Sequence, residues 1–356
     1  MPFDFPEADN QAISQAHTSR TLESTAPTRS DERLGRIIRV LGDNATVVIS
    51  GTKLADEIGA TRSDVWRLVE QLRGLGVEIA GHPASGYQLV KVPDLPLPEV
   101  LESRLRGTIF AGKIQHYFRI GSTNVEAMQA GSNGSSEGSV FLAEEQLSGR
   151  GRAGHTWTSP PSTGIYCSIL LRPTLPPADA LLLSLMAGLA VASAVEQTAN
   201  VKPDLRWPND LMIADKKFCG ILTEMNAEVT RVRYAVIGIG INVNQPEFPP
   251  ELAEIAISLR IFAGKEWSRV ELTTALLQSL DREYRALISD VSAAREGIFR
   301  RFEANSSYAR GKHVRVDEDG GYEGVTAGLD TRGFLRVETS NGIKTVLSGS
   351  VRPALG

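Results

Sequence analysis

GRGRAG, residues 149–154, spells a glycine-rich loop, and the HTWTSPP that follows over 155–161 decides which fold that loop cannot belong to. The glycine spacing is that of the phosphate-binding turn of a dinucleotide fold. Such a turn requires a strand before it, a long helix after it and an acidic residue about twenty positions on. Residues 141–146 supply a strand, but Pro160 and Pro161 forbid the helix. A dinucleotide-binding βαβ unit is therefore excluded here. What remains is a loop whose glycines let backbone approach a ligand and keep it mobile when empty. Its Arg150 and Arg152 bring planar, permanently charged forks to carboxylate or phosphate oxygens. A loop of this make-up closes over two anions that have to be brought together.

Around the loop the chain divides into five stretches. Residues 1–30, rich in Ser, Thr, Asp and Pro, read as a disordered tail. Over 31–92 the pattern is helix, helix, helix and hairpin. Leu34, Ile37, Ile38 and Leu41 fall at i, i+3, i+4, i+7; Thr52 is placed to cap a second helix that ends at Gly59 and Ala60. Thr61 or Ser63 opens a third, with Val65, Leu68, Val69 and Leu72 inward, and VEIAG and GYQLV flank the polar turn HPAS. This is a winged helix-turn-helix with residues 61–73 as recognition helix. Thr61, Arg62, Ser63, Trp66 and Arg67 are its DNA-facing candidates, opposed by Asp64 and Glu70 and by a wing turn without Lys or Arg. Residues 93–100, proline-rich and aperiodic, read as a linker. Residues 101–306 alternate strands and helices as an α/β or α+β catalytic domain, the latter being the fold class expected, and the short strands of 307–356 predict a small β-barrel.

A net charge of -4 over 356 residues gives no support to nucleic-acid binding by the whole surface and leaves a local basic face as the route. Cys167 and Cys219 sit in apolar runs without paired spacing, and no secretory segment is evident, which predicts a reducing, cytoplasmic setting. The apolar run 180–195 is rich in Ala and Gly and short for a bilayer; a buried core helix is expected, and no membrane partner.

Three further stretches carry chemistry. In GSTNVEAMQAG, Thr123 and Glu126 match a capping box, and Ser122, Thr123 and Asn124 offer hydroxyl and amide partners to a small polar head group at a helix N-terminus. In LRWPNDLMIADKKFCGILTE, residues 205–224, a turn at 207–210 precedes Lys216 and Lys217 on a hairpin. Lys217 is placed to face phosphate, and Asp210 to order a cation or Mg²⁺. In VIGIGINVNQ, residues 236–245, glycines alternating with Ile signal close approach of another group, and Asn242 and Asn244 are placed to reach a ribose or base.

In order and spacing, STN, GRGR-x-G-x-x-W, WPNDL with K-x-x-GIL-x-E, and G-x-GIN resemble the biotin–protein ligases, and the N- and C-terminal stretches resemble those of the bifunctional type. The resemblance implies a central mixed-sheet ligase domain and an SH3-like C-terminal barrel. It implies an ATP-dependent, AMP-forming enzyme that makes biotinyl-5′-adenylate with Mg²⁺ assisting. The biotin then passes to a lysine of a biotin carboxyl carrier domain, as on acetyl-CoA carboxylase. It further implies operator DNA as a partner and a ligand-induced homodimer formed through sheet edges. By motif position Ser122, Thr123, Asn124, Gln146, Arg150, Gly151, Arg152 and Arg206 hold biotin, and Trp157, Asn209, Asp210, Lys217, Gly220 and Asn242 hold ATP. Arg150, Arg152, Arg206 and Lys217 are the catalytic candidates, with no protein-bound metal site. The family generally has Lys where this chain has Arg206, a planar fork in place of a point charge. A lipoate-type acyl ligase and a biotin-sensing repressor without catalysis are the alternatives at this point.

Overall fold

The computed structural model describes residues 29–354, apart from 84, 92, 93, 319 and 348. The expected tail lies outside the described residues except for Arg29 and Ser30, which open the first helix. The N-terminal unit comprises α1 (Arg29–Asp43), α2 (Gly51–Ile58), α3 (Arg62–Gly74) and a hairpin of β1 (Ile79–His82) and β2 (Gly86–Leu89). Leu34, Ile37, Leu41, Leu54, Val65, Leu68, Val69 and Leu72 form its core. Ser50, not Thr52, caps α2: its hydroxyl accepts from Lys53 N–H, and Thr52 already lies inside the helix, where it has no orphan donor to meet. Thr61 and Asp64 make a reciprocal capping box on α3.

The proline-rich stretch is not a free tether. Leu95 and Leu97 are buried in the core of the N-terminal unit together with Phe118. The carboxylate of Asp94 accepts from the backbone N–H groups of Arg269 and Val270, and Asp31 of α1 accepts from Phe118 N–H. Two leucines in a segment whose prolines present no N–H are easily buried, and that apolar content outweighs the linker-like composition.

The central part is built from α4 (Pro98–Glu102), β3 (Ile114–Tyr117), α5 (Thr123–Ser132), β4 (Val140–Ala143), β5 (Gly164–Leu171), α6 (Leu181–Ala199), β6 (Asp204–Arg206), β7 (Asp210–Ile213), β8 (Lys216–Ala227) and β9 (Val232–Asn242). There follow α7 (Pro250–Ala253), α8 (Leu259–Ala263), α9 (Arg269–Ser289) and α10 (Val291–Ala304). The sheet order is β3-β4-β5-β9-β8-β7-β6, with β3 and β4 parallel and the other pairs antiparallel. Apolar residues of α6 and α9 join the core on one face, and α5 covers the other around Tyr117, Phe141, Leu170 and Tyr234. α6 is long and apolar enough to cross a membrane, yet Leu182 through Val191 are buried within this core, as expected for the 180–195 run.

At α5 the capping box is not formed. Ser122 is the N-cap without a side-chain cap bond, and the Thr123 N–H goes instead to Gln146 Oε1 at 2.9 Å. Glu126 is buried, and burial pushes its carboxyl up to about 7.

The C-terminal strands β10 (Arg310–Val316), β11 (Tyr322–Leu329), β12 (Leu335–Thr339), β13 (Gly342–Val346) and β14 (Val351–Pro353) form an antiparallel sheet in the order β13-β12-β11-β10-β14. Its Val314, Val316, Leu335, Val337 and Val346 join the central core.

Candidate active site

The alternating glycines of β9 explain where the site lies. Ile237, Ile239 and Ile241 point into the core, so Gly238 and Gly240 share the opposite face. A Cβ on Gly238 would fall 2.1 Å from Asn124 Oδ1, and one on Gly240 would fall 2.4 Å from the Trp157 indole. Gly220 pairs with Gly240 across β8 and β9, and its own Cβ would lie 3.0 Å from Trp157 and from Lys217. Bare backbone on two strands is therefore the bed on which the amide and the indole rest.

Above that bed is a pocket of ≈ 450 Å³, counting its open mouth. Ser122, Thr123, Asn124, Gln146 and Ser168 line one part of it. The Ser168 hydroxyl donates to Asn124 Oδ1 at 2.7 Å and lies 2.8 Å from the Thr123 hydroxyl; Asn124 Nδ2 donates to Glu224 at 2.7 Å. Gln146 accepts from Thr123 and donates to Ser159 at 2.9 Å. Each amide is thereby fixed in orientation. Ser122 Oγ and Trp157 Nε1 are buried and have no partner, which leaves two polar groups for a ligand to satisfy.

The opening loop forms no helix beyond one 3₁₀ turn over Arg152–Gly154. Gly151 N–H donates to His155 O at 2.7 Å and Trp157 N–H to Gly149 O at 2.9 Å, so the loop folds back as a narrow hairpin. Arg150, Gly151 and Arg152 line the pocket, with Arg150 exposed and Arg152 half-buried. The loop is already laid on the site: Arg152 Nη1 donates to Asn209 Oδ1 at 3.0 Å. Lys217 Nζ sits 2.7 Å from Asp210 and 5.5 Å from the Trp157 ring centroid. Asp210 is thus committed to Lys217, and among the described residues no three His, Cys, Asp or Glu side chains converge on a metal position. Burial pushes the Cys167 thiol in the pocket wall up to about 12, so it stays neutral. A second, more apolar pocket of ≈ 690 Å³, likewise counting its open mouth, adjoins across Trp157, lined by Lys217, Asn242, Phe248, Leu252, Ile255 and Ala256 among others.

Of the residues expected from the sequence, the first pocket gathers Ser122, Thr123, Asn124, Gln146, Arg150, Gly151, Arg152, Trp157, Asn209, Lys217 and Gly220. Asn242 is buried, accepts from Gln245 and lines the second pocket. Arg206 is not brought in. Its guanidinium stacks on Tyr308, 3.8 Å from the ring centroid, with Asp215 at 3.9 Å, and it lines neither pocket. Asn244 does not reach it either: its amide is closed on the backbone of Trp267. Ser168 is not among the residues expected from the sequence, and Glu224 figures there only as the last residue of the K-x-x-GIL-x-E motif. Ser168 is a lone hydroxyl inside the apolar strand GIYCSILL, and that isolation was its one signal.

The fold and site define a class: a helix-turn-helix unit joined to a mixed-sheet domain whose small polar pocket is roofed by a cationic glycine loop. Residues 119–242 match the biotin/lipoate A/B protein ligase family, residues 33–88 an HTH domain and residues 311–352 the biotin protein ligase C-terminal domain. The chain is 33% identical to the bifunctional ligase/repressor BirA of Bacillus subtilis over 88% of its length and 97% of that protein. It is 32% identical to the biotin–[acetyl-CoA-carboxylase] ligase of Mycobacterium tuberculosis over 65% of its length and 85% of that protein. The biotin protein ligase of Aquifex aeolicus, solved with biotin and ATP, superposes with a TM-score of 0.59 at 29% identity, covering 68% of this chain and 100% of that one. The chain belongs to the biotin protein ligase family.

Proposed function

We propose that this cytoplasmic protein activates biotin with ATP to biotinyl-5′-adenylate and pyrophosphate, then transfers the biotinyl group to a lysine of a carrier domain such as that of acetyl-CoA carboxylase. The observation that carries this reading is the pair of buried, unpartnered groups, Ser122 Oγ and Trp157 Nε1, in a pocket that also collects Arg150, Arg152 and Lys217. Ser122, Thr123, Asn124 and Gln146, with Ser168 behind them, hold the polar edge of the biotin ring. Arg150 and Arg152 neutralise the biotin carboxylate and the α-phosphate, which otherwise repel. Trp157, Asn209, Lys217, Gly220 and Asn242 place the nucleotide, and the apolar pocket beside Trp157 takes its base. Catalysis is then positioning and charge stabilisation of an in-line displacement, each aimed donor contributing about 3 kcal/mol in the transition state. Mg²⁺ is carried by the triphosphate, since Asp210 alone makes no protein cage for it.

A single-turnover reaction with labelled ATP, chased with a carrier domain, tests the reading. Labelled adenylate and a streptavidin-positive carrier are expected, with lipoate unreactive. Adenylation of lipoate instead of biotin would favour the acyl-ligase alternative, and adenylate without carrier turnover the sensor alternative. Gly238→Ala is expected to push Asn124 off Ser168 and Glu224 and to weaken binding by about 1–3 kcal/mol, read by calorimetric titration with biotin.

The helix-turn-helix unit is assigned to operator DNA upstream of biotin genes. Thr61, the N-cap of α3, and Arg62, Ser63, Trp66 and Arg67 on the helix are all exposed, Trp66 at 59%. Arg73 is turned away, bound to Glu70 and Ile79 O. Replacing Arg62 and Arg67 by alanine should weaken a mobility shift made with biotin and ATP present and lower its salt slope by about 1 per arginine. No shift at low salt with the unaltered protein would remove the repressor role and leave the ligase standing. A ligand-favoured homodimer belongs to the same reading and is checked by sedimentation with and without biotin and ATP.

A further inference from the structure

Trp207 is buried at the seam between the central part and the C-terminal sheet, and its indole Nε1 donates to Gly333 O at 2.9 Å. That acceptor is rigidly presented. Gly333 has φ +88, and a Cβ there would fall 2.6 Å from Phe299 and 3.2 Å from Leu185. Its loop is tied by Asp330, whose carboxylate accepts from Arg332 and Phe334 N–H at 2.8 and 2.9 Å. Two residues along the chain, Asn209 exchanges bonds with Ile221, Nδ2 to O at 2.8 Å and O from N–H at 2.9 Å, and its Oδ1 receives Arg152. Only Pro208 separates the two, with its φ fixed by the ring and its carbonyl held by Ser184 at 3.1 Å. A displacement of the indole is therefore passed to Asn209 with little slack.

We infer that Trp207 is a positioning residue for the ligase reaction: the C-terminal sheet, by gripping this indole, sets where Asn209 aims the Arg152 guanidinium. The inference rests on the ligase reading above. One turn thus serves two neighbours, the sheet on its tryptophan side and the cationic loop on its asparagine side. Preorganisation of a charge that must meet two anions is sensitive to small shifts of this kind.

Trp207→Phe keeps an aromatic ring, smaller than the indole, and removes the N–H. It is expected to lower kcat for adenylate formation about tenfold, with KM for the carrier unchanged and more free biotinyl-adenylate released. The decisive measurement is the double-mutant cycle with Arg152→Ala: on that background Trp207→Phe should change the rate less than about twofold. Asp204→Ala, which loosens the same seam at Ser307 without touching the turn, should leave adenylate release as it was. Should the phenylalanine variant fail to fold, Asp330→Ala loosens the acceptor loop from the surface and enters the same cycle. Multiplicative effects in the cycle, or an Asp204→Ala variant that copies Trp207→Phe, would overturn the inference. Loss of the Arg152→Ala effect itself would instead count against the ligase-site reading.

Discussion

Arg152→Ala is expected to slow biotinyl-adenylate formation about a hundredfold and to let the intermediate leak into solution. The guanidinium is half-buried, lines the pocket with Ser122 and Lys217, and rests 3.0 Å from Asn209 Oδ1. A carboxylate and a triphosphate brought together repel, and in the proposed role Arg152 lies between them and lowers the barrier where charge develops. Its removal also opens the roof over a mixed anhydride that water destroys. Arg152→Lys should recover part of the rate and little of the retention, because an ammonium has the charge without the planar fork that seats on two oxygens. Arg150, exposed to solvent, should matter less. Pyrophosphate exchange and chromatography of released adenylate measure both effects; if neither quantity moves on Arg152→Ala, the assignment of the loop is wrong.

Much of the architecture follows from local pattern, and the places where pattern misleads have physical causes. The helix-turn-helix core is legible because Leu34, Ile37 and Leu41 repeat at helical spacing and Gly59 closes α2 in the left-handed region. The alternating glycines of β9 announce a close approach, but only the fold reveals that Asn124 and Trp157 are what approaches. Motif position makes both Arg206, on biotin, and Lys217, on ATP, catalytic candidates. The β6–β7 register and the stacking of Arg206 on Tyr308 separate them, leaving Lys217 beside Trp157. Ser168 hides in a strand whose every residue is buried, where composition speaks of core and a single hydroxyl has no periodic partner. The proline-rich stretch is packed down because Leu95, Leu97 and Asp94 each find a long-range partner that no local rule contains.

The same stretch leads to a group of buried charges that sequence inspection passes over. Glu144 is fully buried two residues before Gln146; it accepts from Arg269 at 2.8 Å and lies 3.0 Å from His116 Nε2. Arg269, itself buried, also donates to Asp94 O at 2.6 Å. Burial alone would raise the Glu144 carboxyl; the Arg269 charge and the His116 contact overcome that and hold it down to about 2. Glu144→Gln removes the buried counter-ion of Arg269, leaving only the Asp94 carboxylate 4.0 Å from its guanidinium, and is expected to cost about 3 kcal/mol of stability, read by urea unfolding at neutral pH. A lowered folded pKa means the carboxylate stabilises above its unfolded value and that this contribution is lost as pH falls through the folded one. The unaltered protein should therefore lose stability between about pH 4.5 and 2, and the Gln variant should show a flatter slope there. Glu144→Leu with Arg269→Met, which removes both charges and fills the space, should be less destabilised than Glu144→Gln. A double variant less stable than the single would mean that the hydrogen bonds of Arg269 to the backbone carbonyls of Gly164 and Asp94, rather than its pairing with Glu144, hold this junction together.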